Sequence, residues 1–206
     1  MKVKDEYLLH QVEDLRNMLG EPLPKLSMKV SSKIDEYCQS FIEKSPLVFL
    51  ATSDEQNNLD VSPKGDAPGF IKVMDESTIL VPDRIGNRLA YGFKNILQTG
   101  KVGLIFIIPT IKETVRVNGH TSISRGPELL EMLSAQGKPA LLCTIIKVEE
   151  CFFHCGKALV RSKLWKPDSW PKNAKSGAAK QISEKLVMNE NAIEKNLADS
   201  YAVCEI

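Results

Sequence analysis

The sequence predicts a mainly β protein of the α+β class: a small antiparallel barrel with peripheral helices. Two observations carry that expectation. Between residue 46 and about residue 161, seven short runs rich in β-branched and apolar residues are separated by turn residues, and helical patterns do not alternate with them as βαβ units would require. Several of the runs are apolar nearly throughout, as in Gly103-Leu104-Ile105-Phe106-Ile107-Ile108, which fits strands covered on both faces, in a closed barrel or against a partner subunit. With 206 residues, 43% of them hydrophobic, the chain can bury a substantial core in a single domain.

The elements follow in order. Residues 5–19 and 31–43 read as helices separated by the breaker Gly20-Glu21-Pro22-Leu23-Pro24. In the second, Ile34, Tyr37, Cys38, Phe41 and Ile42 fall at i, i+3, i+4, i+7 and i+8, one apolar face. The strand runs are Leu47–Thr52, Phe70–Val73, Thr78–Val81, Val102–Ile108, Thr114–Ser124, Ala140–Val148 and Glu150–Leu159, with a helix over Leu89–Leu97 between the third and fourth. After Trp170 the chain becomes polar and lysine-rich, with a helix expected near 176–197. The organisation is therefore N-terminal helices over 1–45 packed on a barrel over 46–170, and a C-terminal helical extension over 171–206.

Composition narrows the function. A net charge of +1 gives no global attraction to nucleic acid or to anionic membrane, so any affinity for phosphate must be local. Five irregularly spaced cysteines argue against a disulfide framework and for a reducing compartment. The first residues have no apolar signal core, and no apolar run is long enough to cross a bilayer, so the expected location is cytoplasmic.

Four blocks can carry chemistry. The most informative is Val81-Pro82-Asp83-Arg84-Ile85-Gly86-Asn87-Arg88, which follows a strand and opens a helix. Such a turn exposes backbone N–H groups and the positive end of the helix dipole, and here two arginines are added. That is the chemistry of a phosphate seat, although a single string of this kind also fits a solvated basic loop. Asp60-Val61-Ser62-Pro63-Lys64-Gly65-Asp66 offers a hydroxyl, a cation and a tight turn, suited to an anion, and by itself is also an ordinary turn. In the strand Glu113–Gly119, Thr114, Arg116 and Asn118 share one face, and a polar face inside a β domain meets solvent or lines a pocket. The fourth block, Phe153 to Trp165, ends a strand in a basic run closed by an indole. Lys157, Arg161 and Ser162 can bond a phosphate or ring carbonyl and Trp165 can stack on a planar ligand, the alternative being a solvated basic edge with one buried tryptophan.

Two other readings fall away. On a strand Cys151 and Cys155 face one way and His154 the other, so the three do not close on one metal ion, and no metal site is expected. A nucleophile elbow of the Gly-x-Ser-x-Gly type is lacking, and His10, His120 and His154 sit in no nucleophile signature.

Taken in order, Phe41–Pro46, Asp60–Phe70, Val81–Arg88, Asn95–Leu97, Val102–Phe106, Thr114–Gly119 and His154–Trp165 resemble the pyridoxamine 5′-phosphate oxidase-related flavoproteins, in the branch of FMN-dependent enzymes rather than the true oxidase. The resemblance covers residues 5–170. It implies an antiparallel split β-barrel, a homodimer and FMN bound at the dimer interface. It also places the flavin phosphate at Pro82, Asp83, Arg84, Asn87 and Arg88, with Ser62 and Lys64 as a further part of the pocket. Thr114 and Arg116 would approach the flavin ring, Thr114 standing where the oxidases carry a glutamine. Arg161, Ser162 and Trp165 would come from the other subunit, with Lys157 and Arg161 near the ring edge where a cation stabilises reduced flavin. The arginine- and histidine-bearing tail that grips pyridoxal phosphate in the true oxidase has no counterpart in Asp199–Ile206.

The expected function is therefore an FMN-dependent oxidoreductase acting on a small molecule, with no catalytic acid or base assigned. The alternatives are a non-catalytic flavin carrier or redox sensor, or a split barrel that binds another phosphorylated cofactor.

Overall fold

The computed structural model describes residues 3–86 and 88–202, which fall into two compact units divided after Trp165. The first is built on an N-terminal arm containing helix α1 (Val12–Leu19), then α2 (Glu36–Lys44), and strands β1 (Leu47–Ser53), β2 (Leu59–Gly65), β3 (Lys72–Asp75) and β4 (Thr78–Asp83). Helix α3 (Tyr91–Thr99), β5 (Lys101–Ile107), β6 (Thr114–Ser124), α4 (Pro127–Met132), β7 (Leu142–His154) and α5 (Lys157–Arg161) complete it. The second unit holds α6 (Ala178–Leu186) and α7 (Glu190–Ala202), two helices where one was expected, because Val187 takes a left-handed conformation (φ 53°) that stops α6.

The seven strands form one antiparallel sheet in the order β2-β1-β5-β6-β7-β4-β3. The sheet does not close by hydrogen bonds between its two edge strands, yet it curls until Lys64 near the end of β2 meets Asp83 at the end of β4, 3.0 Å apart. The result is an α+β split barrel whose seam is an ion pair instead of a ladder. The concave face buries Val48, Leu50, Leu104, Phe106, Val115, Val117 and Ile146. Each such side chain contributes about 1.5–3 kcal/mol when fully buried.

Helix α2 plugs this core. Asp35 caps it by accepting the Cys38 N–H at 2.7 Å, and Ile34, Cys38, Phe41 and Ile42 are buried as the periodicity predicts, while Tyr37 is exposed at 68%. Phe41 packs edge-on against Phe153, with ring centroids 5.5 Å apart. The Cys38 thiol is pushed above its ordinary range by contact with Cys151 and by burial.

Several expected elements are corrected. Residues 60–66, read as a turn, are mostly edge strand; Pro63 is tolerated there because an edge leaves backbone donors unpaired. The two strands expected over 140–148 and 150–159 are one, β7. It passes a bulge opposite Asn118 and Gly119, where a Cβ on Gly119 would collide with the Lys147 carbonyl oxygen. Strand structure ends at His154, and Lys157–Arg161 is helical, the chain turning at Gly156 where only hydrogen fits against the Lys112 backbone. Helix α3 begins at Tyr91 because Arg88 and Ala90 are left-handed, with φ 61° and 57°. The arm is less helical than expected, with a 3-10 turn at Asp5–Tyr7 before α1.

Candidate functional site

The curl of the sheet leaves a cavity of about 640 Å³ between β2, the end of β4, the start of α3 and the start of β7. On β2 the alternation of a pleated strand sends Asp60, Ser62 and Lys64 inward and Leu59, Val61 and Gly65 outward. Asp83, Arg84, Gly86 and Arg88 supply the opposite wall.

Two ion pairs organise the charge. Lys64 Nζ lies 3.0 Å from Asp83 Oδ1 and 5.2 Å from the centre of the Phe93 ring. Arg84 donates through Nε to Asp66 Oδ2 at 2.9 Å and through its terminal nitrogen to the Leu133 carbonyl at 2.8 Å. These side chains keep only 18–30% of their surface, so water screens them weakly. Ala90, Tyr91, Gly92 and Phe93, the cap and first turn of α3, also line the cavity, and Ala90 offers no side-chain cap. Backbone N–H groups without intrahelical acceptors therefore stand beside three cations. Under that turn, Asp60 bonds Ser62 at 3.3 Å and Asn95 donates to Thr52 at 3.1 Å.

The residues singled out in the sequence are thus divided. Ser62, Lys64, Asp83, Arg84 and Arg88 line this cavity together; Pro82 is buried in β4 opposite Cys143 and does not line it. Asn87 lies outside the described residues. Thr114 is buried on β6, and the Arg116 guanidinium rests 5.6 Å from the Phe152 ring, both away from the cavity. Lys157 and Arg161 border a second, shallower cavity of about 320 Å³ with Lys112, Glu113 and Val160. Ser162 donates to the Leu159 carbonyl at 3.1 Å and the Trp165 indole N–H to Ile111 at 2.8 Å, so within one protomer neither group is turned to a ligand. His120 faces Glu149 at 3.3 Å on the surface. Among the described residues no cluster of three or more His, Cys, Asp or Glu could hold a metal ion, and no helix is long and apolar enough to cross a membrane.

Sequence reasoning passed over Asp60 and Asp66. Asp60 shares the parity of Ser62 and Lys64, a signal that was readable once β2 is a strand. Leu133 and the Leu141–Thr144 wall come from distant segments and carry no local signal.

An open, curled antiparallel sheet, with a helix start, three cations and the carboxylates of Asp60 and Asp83 around one cavity, defines a split-barrel protein. Residues 34–155 match the pyridoxamine 5′-phosphate oxidase domain, more than half of the chain. The chain belongs to the pyridoxamine 5′-phosphate oxidase family. Among solved structures it is similar to HupZ of Group A Streptococcus (18% identity over 58% of this chain and 93% of that one, TM-score 0.48). A pyridoxamine 5′-phosphate oxidase-type protein of Lactobacillus delbrueckii is also similar (24%, 59% and 95%, TM-score 0.48), as is an FMN-binding protein of Syntrophomonas wolfei (14%, 69% and 95%, TM-score 0.44). No curated protein sequence matches the chain.

Proposed function

We propose that the protein is an FMN-dependent oxidoreductase of this family, working on a small molecule as a homodimer, with the flavin phosphate seated at the first turn of α3. The observation that carries the reading is the convergence of Lys64, Arg84, Arg88 and the uncapped Ala90–Phe93 turn on one cavity of cofactor size. A phosphate there replaces the solvation of these donors, and each charge-assisted bond contributes about 1.5–3 kcal/mol. Ser62 and Asp60, lower in the same cavity, offer hydrogen bonds to a polyol chain.

The homodimer is favoured by the outer face of the sheet. Phe49, Ile105, Val61 and Leu59 lie on adjacent strands of that face and are 37%, 39%, 62% and 79% exposed. Pairing this face with a second copy removes apolar surface from water. It is also a route by which Lys157, Arg161, Ser162 and Trp165 of one subunit reach the flavin held by the other, since within one protomer none of the four lines the larger cavity and Lys157 and Arg161 border a separate one.

The flavin supplies hydride or electron transfer when bound. The chain supplies the phosphate seat, a hydroxyl from Ser62 on β2, and cations that favour an anionic reduced ring. The test is the visible spectrum of the purified protein after addition of FMN and gel filtration. Retention of about one flavin per chain supports the reading, and a colourless eluate withdraws it.

A further inference from the structure

The two cavities differ in how their charge is compensated. In the larger one Lys64 is held by Asp83 and Arg84 by Asp66, so most of its positive charge is already answered. The smaller cavity, about 320 Å³, is lined by Lys112, Glu113, Gly156, Lys157, Val160 and Arg161. Three cations stand there against one carboxylate. Among the described residues, none of these four charged side chains forms an ion pair or a hydrogen bond. Like charges gathered in one recess repel one another, and an entering anion relieves that repulsion.

The recess is assembled from two segments whose backbones are locked together. Lys157, Val160 and Arg161 stand at i, i+3 and i+4 on one face of α5, so two cations and an apolar wall turn the same way. Lys112 and Glu113 come from the connection between β5 and β6. The segments meet at Gly156, where any Cβ would collide with the Lys112 carbonyl, and the Trp165 indole N–H donates to the Ile111 carbonyl at 2.8 Å. The backbones that carry the three cations are thus fixed against each other before a ligand arrives. A guanidinium receives a carboxylate through two parallel hydrogen bonds, and the two ammonium groups add point charges. Val160 and the methylene stems of the lysines supply an apolar floor that a bare inorganic anion would leave uncovered. The recess has half the volume of the larger cavity, near the lower end for small-molecule sites.

We propose that the smaller cavity binds a small organic acid, its carboxylate on Lys112, Lys157 and Arg161 and its apolar body against Val160. In the homodimer proposed above, Lys157 and Arg161 reach the flavin held by the other subunit, so an acid on these cations lies beside the ring and is the substrate. That role rests on the flavin reading; the acid site itself needs one protomer only.

Amide NMR and isothermal titration of the purified full chain with benzoate test this, its flavin content being read from the visible spectrum. Saturable shifts at residues 112–113 and 156–161 are expected, with benzamide, the uncharged analogue, weaker by at least about tenfold. Two substitutions act with opposite sign: Lys112→Gln weakens benzoate by about threefold or more, and Glu113→Gln tightens it by about twofold or more. A damaged fold does not produce such a gain. Shifts that avoid these residues, equal binding of benzamide, or no gain in Glu113→Gln overturn the site. Phenyl phosphate that saturates the same amides about tenfold more tightly than benzoate overturns the carboxylate and assigns the recess to a phosphate ester. Benzoate binding by a chain that retains no FMN supports the acid site and removes its role at a flavin. FMN retained without benzoate binding leaves the flavin reading standing and overturns this one.

Discussion

Replacing Asp66 by alanine separates a phosphate ligand from a structural tie. In the structure Asp66 accepts from Arg84 Nε at 2.9 Å and from the Ala67 N–H at 2.8 Å, while Arg84 is also held by Leu133. The pair is 24–30% exposed, so the ion pair contributes about 1 kcal/mol after screening, and the turn bond less. The variant is expected to lose about 1–2 kcal/mol of stability, a fall in Tm of about 2–8 °C for a unit of this size. Its affinity for FMN should move the other way. A guanidinium still oriented by Leu133 but relieved of its carboxylate meets the phosphate without a competitor, which should lower Kd by about three- to tenfold, or about 0.7–1.4 kcal/mol. Isothermal titration with FMN, with Tm measured in parallel, reads both signs. A folded variant with unchanged or weaker FMN binding would refute the argument that Arg84 faces the phosphate.

Other substitutions probe the remaining parts. The double variant Arg84→Ala and Arg88→Ala should weaken FMN binding by at least a hundredfold, since two charge-assisted contacts are removed; equilibrium dialysis at fixed salt measures it. Gly119→Ala forces a methyl group onto the Lys147 carbonyl at the β6–β7 bulge and should cost at least about 3 kcal/mol in urea unfolding. Burial pushes the Cys143 thiol up to about 11 from an ordinary value of 9.0. The folded state therefore holds it neutral where the unfolded chain ionises, so its stabilising share is complete below pH 9 and fades as pH rises towards 11. Cys143→Ala should flatten the fall of Tm between pH 9 and 11.

The fold was largely legible because its signals are local. Thr78-Ile79-Leu80-Val81 and Val102–Ile108 are β-branched and apolar, and each is a strand. The spacing of Ile34, Cys38, Phe41 and Ile42 foretold the buried face of α2. What failed depends on distant partners. The edge strand β2 looks like a turn because it carries Pro63 and Gly65, and only pairing with β1 makes it a strand. In the cavity, Arg84 was readable as a cation beside a helix start and Lys64 as a cation in a turn suited to an anion, but not their commitment to Asp83, Asp66 and the Leu133 carbonyl. The split of the candidate residues between two cavities is likewise invisible in the chain, since it follows from the curl of the sheet.

That curl also dictates an order of assembly. Strands β1 and β2, β3 and β4, and β6 and β7 pair with near neighbours in the chain, whereas joining Leu47 to Ile107 or Thr78 to Lys147 closes long loops. Long-range closure carries the larger entropic cost and comes late. The larger cavity draws its walls from β2, the end of β4 and the start of β7, so it exists only once those late closures are made. A ligand there recognises nothing in the partly folded chain, and at a hundred times its Kd it would add about 2.7 kcal/mol to the stability of the whole domain.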